Sequence, residues 1–178
     1  EEVAVKEDEY TTADTNFDSS ISKLRSAYNT LDSTVRTGIK STYRKTTVAF
    51  YKHAKTVRDK VDDAIDAAED RNTGSINGLI TSAEKAYNSL NKEYINQDKK
   101  LKGKAGKKLK KNKKKYNAQK KLVAEAKKAK DKANSVISKL SDFKSKKNAF
   151  DIASDALTSK REELQVANVP LIFSYFGA

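Results

Sequence analysis

The chain has 178 residues with no cysteine, no methionine, one proline and six glycines; 37% of its residues are hydrophobic, 34% are charged, and the formal net charge is +13. That length suits one domain with its own core, the missing cysteine excludes disulfide frameworks and thiolate metal sites, and so few turn formers disfavour a sheet protein. No run approaches the ~20 apolar residues that a membrane-spanning helix needs.

Residues 1–13, "EEVAVKEDEYTTA", read as an acidic, flexible arm. Tyr10 follows Glu7, Asp8 and Glu9, the setting in which a secreted tyrosine can be sulfated. The start lacks Met in a chain that has none, which is the expected mark of signal-peptide removal. Secretion is the expectation, although a trimmed expression product begins the same way.

From residue 14 a helical period takes over. Phe17, Ile21, Leu24, Tyr28, Leu31 and Val35 alternate by four and three. The stripe continues through Ile39, Tyr43, Thr46, Phe50, Ala54, Val57, Val61, Ala64 and Ala68, at about 3.6 residues per step, the α-helical period. The phase does not slip at Gly38, and a glycine costs a helix only ~1 kcal/mol. One helix over about 14–70, bent at Gly38, is therefore expected; two antiparallel helices meeting there are the alternative. Asp59, Asp62, Asp63, Asp66, Glu69 and Asp70 fall opposite this stripe and read as a solvated face, because a straight helix splays carboxylates that a calcium site must converge.

"EDRNTGSINGL" predicts a turn near 71–78, with Ser75 as N-cap of the next helix. Ile76, Ile80, Ala83, Tyr87, Leu90 and Tyr94 form its stripe, and Gly103 and Gly106 predict a second turn near 102–106. Apolar anchors are then sparse (Leu109, Tyr116, Val123) before thickening through Ala126, Ala133, Ile137, Leu140, Phe143, Phe150, Ala153, Leu157 and Leu164. Pro170 is expected to end the helix. It leaves residues 170–178 as an apolar tail whose Leu171, Ile172, Phe173, Tyr175 and Phe176 fold back onto the bundle; contact of Leu171, Ile172, Phe173 and Phe176 with a partner or a second copy is the alternative. The expected fold is all-α: residues 14–169 form a single helical domain, an elongated bundle or coiled-coil-like hairpin of three to four long amphipathic helices. Phe17, Leu24, Leu31, Phe50, Val61, Tyr87, Leu140, Phe150 and Leu157 are its expected core.

An inventory of reactive groups points away from catalysis. His53 is the single histidine, lies beside Phe50 and Val57, and reads as a packed boundary residue. Paired Glu-x-x-His metal motifs need two histidines, and no zinc-protease, phosphate-loop, EF-hand or dinucleotide signature occurs. No enzyme activity, cofactor or metal is expected.

Residues 99–121, "KKLKGKAGKKLKKNKKKYNAQKK", hold thirteen lysines without an acid, while the other 155 residues balance at 24 basic and 24 acidic. A solvated helix face would alternate lysine with acid at i,i+4. Here Lys107, Lys111 and Lys115 repel one another, as do Lys104 and Lys108, or Lys110 and Lys114. Lysine holds phosphate or sulfate as a point charge, without the planar discrimination of arginine. A lone Tyr116 offers little base stacking. Lys107, Lys108, Lys110, Lys111, Lys113, Lys114 and Lys115 are thus the candidate site for a polyanion: a sulfated glycan, a nucleic acid or an anionic lipid surface. "KKLKKNKKKY" resembles general heparin-binding clusters, and also a nuclear localisation signal.

Two other readings remain open. In size, absence of cysteine and amphipathic helices the chain resembles exchangeable apolipoproteins of insect haemolymph, which implies a bundle that opens to carry lipid or another amphiphile. A structural or adhesive surface protein would need no small ligand.

Overall fold

A computed structural model describes the backbone of residues 2–41 and 45–176, with side chains at 2–39 and 49–167. It is an all-α helical bundle without strands among the described residues. The elements are α1 (Glu2–Ser41), α2 (Lys45–Glu69), a 3-10 turn (Thr73–Ser75), α3 (Ile76–Lys99), α4 (Gly103–Lys110) and α5 (Lys113–Phe176). No helix is long and apolar enough to cross a membrane among these residues. The chain divides into two compact units, residues 21–141 and residues 1–20 with 142–178, so that α1 and α5 each contribute to both.

Within 21–141 the expected long helix folds back on itself. Gly38 lies against the ring of Tyr51, Arg58 Nη1 donates to Asp32 Oδ1 at 3.3 Å, and Arg25 pairs with Glu69. Thirteen residues of continuous helix would hold Gly38 and Tyr51 about 20 Å apart. The expectation of one helix over 14–70 is thus corrected to two antiparallel helices, whose connecting residues 42–44 lie outside the described residues. Gly38 permits the closure, since a Cβ there would overlap the Tyr51 ring. That ring packs beside Phe50 with centroids 4.6 Å apart. The two stripes keep phase across the reversal, so periodicity alone cannot reveal it.

The turn expected near 71–78 is present. Asn72 N–H donates to Ala67 O at 2.9 Å and Arg71 N–H to Ala68 O at 3.0 Å, the paired bonds of a Schellman C-terminus. Its left-handed position is filled by Arg71 at φ 56° rather than by a glycine. Ser75 precedes α3 as expected but makes no side-chain capping bond. α3 is tied to α5 where Gln119 Nε2 donates to the Gln97 carbonyl at 2.9 Å and to its side-chain oxygen at 3.1 Å. Further along, Lys130 Nζ stands 4.7 Å from the centroid of the Tyr94 ring.

Phe17, Leu24, Leu31, Phe50, Val61, Leu140, Phe150 and Leu157 are buried as expected, and Tyr87 is half-buried. Among the described stripe residues Ile39 and Leu164 are exposed, each at 47%. For Ile39 the reason is the period. Apart from Val123, the buried positions on α5 between 122 and 150 are Leu122, Ala126, Ala129, Ala133, Val136, Leu140, Phe143, Lys147 and Phe150, alternating by four and three. A stripe traced at 3.6 drifts by about 20° per heptad against such a seam, so it selects Ile137 beside the buried Val136. On α1 the seam passes through Gly38, and Ile39 falls just outside it. Lys147 enters the seam because Asp151, one turn on, pairs with its ammonium at 2.8 Å.

In the other unit, Tyr10 and Phe17 of α1 meet Phe143 and Phe150 of α5 at centroid distances of 5.5–5.7 Å. Residues 2–13, expected as a flexible acidic arm, are instead the first turns of α1. Their acids find cations on α5: Glu7 with Arg161 at 3.2 Å and Glu2 with Lys160. The bond to Lys160 holds the Glu2 carboxyl below its ordinary range. Tyr10 is half-buried there. Pro170 does not end α5, which continues to Phe176; a proline removes one backbone donor, and the helix runs past it. The side chains of Leu171, Ile172, Phe173, Tyr175 and Phe176 lie outside the described residues, and with them the expected docking of the tail.

Gly38→Ala tests the reversal by its sign. In a straight helix alanine gains up to ~1 kcal/mol over glycine, whereas against the Tyr51 ring it costs about 1–3 kcal/mol; urea unfolding is expected to show the loss. Arg71→Gly is expected to stabilise by about 1 kcal/mol, by relieving a left-handed conformation that suits glycine, less whatever the Arg71 bond to Ala68 O contributes. Burial, and after it the charge of Glu125, pushes the Tyr51 phenol up. The folded state therefore keeps this proton longer than the unfolded chain, and stability falls as pH rises through about 10. Tyr51→Phe is expected to flatten that decline in pH-resolved unfolding.

Candidate polyanion-binding site

The lysine-rich segment is spread over two helix junctions rather than along one helix. After α3, the N–H groups of Lys100, Leu101 and Lys102 each donate three residues back, at 3.2, 3.0 and 3.2 Å. Gly103 then takes φ +59°, and a Cβ on Gly106 would overlap the Leu101 carbonyl. The two glycines read as a turn thus do separate work, one supplying a left-handed backbone and the other close approach. A second break follows α4. Asn112 Oδ1 accepts from Lys115 N–H at 3.2 Å, the N-cap bond of α5. Its signal was present in the sequence as Asn three residues before Lys115, but the lysine run hid it, since a capping box places an acid there.

All seven candidate lysines are exposed, and among the described residues none of them makes an ion pair. Lys107, Lys108 and Lys110 occupy the last turns of α4, Lys111 follows it, and Lys113, Lys114 and Lys115 form the first turn of α5. The break at 111–112 corrects the expected single repelling face: the pairs Lys110/Lys114 and Lys111/Lys115 straddle two helices, and Lys104/Lys108 alone stays within one. The helix dipole treats the two groups oppositely. At the end of α4 each cation is favoured by roughly 0.3–1 kcal/mol, and at the start of α5 it is disfavoured by a similar amount. Positive charge therefore accumulates where unpaired α5 backbone N–H groups already favour an anion.

Neighbouring groups sharpen this picture. Lys102 is neutralised by Asp98 one turn earlier, and that hydrogen bond holds the Lys102 ammonium above its ordinary range. Tyr116 carries Lys110 and Lys120 ammonium groups at 5.7 and 5.8 Å from its ring centroid, which engages the one aromatic ring of the segment in cation–π contact. Charge is also unevenly divided between the units: residues 1–20 with 142–178 carry six basic and twelve acidic side chains, residues 21–141 carry 31 and 12.

The other sequence-level candidates lie elsewhere. His53 is half-buried on α2. The acids of α2 meet arginines, Asp59 with Arg58 at 3.0 Å and Glu69 with Arg25. Desolvation, and after it the charge of Asp62 one turn earlier, pushes the Asp66 carboxyl up although the residue is exposed. No group of these side chains is arranged to hold a metal ion among the described residues. Compared with protein-family models, curated proteins and solved structures, the chain matches none.

The α5 N-terminus separates stability from binding. Lys113→Glu with Lys114→Glu is expected to raise stability by roughly 0.5–1.5 kcal/mol through the dipole while weakening polyanion binding. Asn112→Ala is expected to lose about 1 kcal/mol. Thermal unfolding beside heparin affinity chromatography reads both effects.

Proposed function

We propose that this is a secreted, non-enzymatic helical protein that holds polyanions by charge, through Lys107, Lys108, Lys110, Lys111, Lys113, Lys114 and Lys115. The observation that carries the reading is that seven exposed lysines crowd two adjacent helix ends with no acid to answer them, while Asp98, Glu69, Glu2 and Glu7 are paired. Crowding like charge at the start of α5 is locally unfavourable, and a bound anion relieves it. The 4,3 alternation of buried positions supports a further detail of architecture, coiled-coil-like pairing of the long helices.

A second reading, an amphiphile carrier, draws on the unit formed by residues 1–20 and 142–178. There Val5 and Ile152, 51% and 70% exposed, line a shallow groove with Ala149 and Ala153.

Charge-driven binding is expected to weaken linearly in log affinity with log salt, with a slope of about −0.9 per phosphate neutralised on duplex DNA. Replacing Lys110, Lys111, Lys113, Lys114 and Lys115 by Gln is expected to move heparin elution to clearly lower salt with helicity intact. An unchanged elution position removes the polyanion reading. Clearing of neutral phospholipid vesicles, with a gain in helix signal, would favour the carrier instead.

A further inference from the structure

Below the exposed lysines lies a groove of about 420 Å³ between the turn after α3, α4 and the start of α5. Lys100, Lys108, Leu109, Asn112, Lys115 and Gln119 line it. We propose that this groove is a selective subsite for one sulfated sugar unit of a glycan chain; the inference rests on the polyanion reading and deepens it.

Three features set the groove apart from the lysines around it. Its lining holds three ammonium groups and no carboxylate, so a sulfate entering it meets no repulsion. Its volume falls within the ~300–1,000 Å³ of small-ligand sites, which admits a sugar ring and leaves a duplex outside. Its remaining surface is mixed: the Leu109 side chain and the lysine stems offer aliphatic contact to ring C–H groups, and two amides sit at its edge. Asn112 commits its oxygen to the Lys115 N–H, which leaves its NH2 to donate outward to a hydroxyl or sulfate. Gln119 is fixed by its two bonds to Gln97, leaving its side-chain oxygen to accept.

The same chemistry disfavours a nucleobase. Base recognition uses aromatic or guanidinium planes for stacking, and no such group lines the groove. Tyr116, the nearby ring, already carries the Lys110 and Lys120 ammonium groups. A sulfated sugar needs point charges, hydroxyl partners and an aliphatic wall, which are the groups present.

The test leaves the seven-lysine cluster untouched. Ala105, exposed at the groove wall, is replaced by Trp to fill the space, and Lys100→Gln removes one cation that lies outside the seven-lysine cluster. Binding of a fully sulfated heparin tetrasaccharide is measured by calorimetry against a DNA oligonucleotide of equal charge, at one salt concentration. The parent is expected to prefer the tetrasaccharide at least tenfold. Ala105→Trp is expected to abolish that preference while long-chain heparin elutes near the parent position, and Lys100→Gln to reduce it severalfold. Equal affinity of the parent for both probes, or a preference that survives Ala105→Trp with helicity intact, overturns the subsite. A preference for the oligonucleotide overturns it in favour of nucleic acid. Failure of the polyanion reading itself reads differently, as no salt-sensitive retention of the parent on long-chain heparin.

Discussion

A helix whose apolar surface is a stripe one residue in three or four wide leaves that stripe in water unless a second helix covers it. With about a third of its residues charged, this chain has little apolar surface beyond such stripes, so every long helix must be answered by another segment folded back against it. Gly38 is where that requirement meets sterics: the bare backbone accepts the Tyr51 ring, and α1 and α2 close over a shared seam. The remaining reversals follow from the same need. Arg71 accepts a left-handed conformation, and Gly103 and Gly106 turn the chain out of α3 so that α5 can begin beside it. Even Lys147 is drawn into the seam, with Asp151 supplying its counter-charge.

Charge follows a different logic in different places. Acids on α1 and α2 are placed opposite cations, as with Asp32 and Arg58, which are 17% and 15% exposed. Exposed pairs contribute little individually, commonly below 1 kcal/mol, yet they leave no large field. Between Lys107 and Lys115 the cations have no such partners, and their field extends into solvent over about a Debye length, ~8 Å at physiological salt. The junction geometry concentrates that field: two helix ends converge within the segment, and a groove opens between them. A straight lysine helix would have spread the same charge around its whole circumference. Folding the segment into α4 and the start of α5 brings Lys100, Lys108 and Lys115 to one concavity despite their separation in sequence.

Much of this was legible in the sequence. The all-α class, most of the core from Phe17 to Leu157, the turn around residues 71–78 and the exposure of the seven lysines all follow from spacing and composition, because burial periodicity is a local property of a regular helix. What tertiary structure decided were the events that spacing does not encode. The α1–α2 reversal kept the stripe in phase, so it is tertiary contacts such as Gly38–Tyr51, Arg25–Glu69 and Asp32–Arg58 that reveal it. The N-terminal acids looked like a solvated arm until α5 supplied Lys160 and Arg161, 154 residues along the chain from Glu7 in the case of Arg161. The groove, likewise, needed the Asn112 cap and the Gln97–Gln119 tie to bring three helices' ends together. Sequence fixes which faces must be buried, since that is set residue by residue through side-chain chemistry. Which face meets which, and what opens between them, depends on contacts between residues far apart, and those are set only when the chain closes.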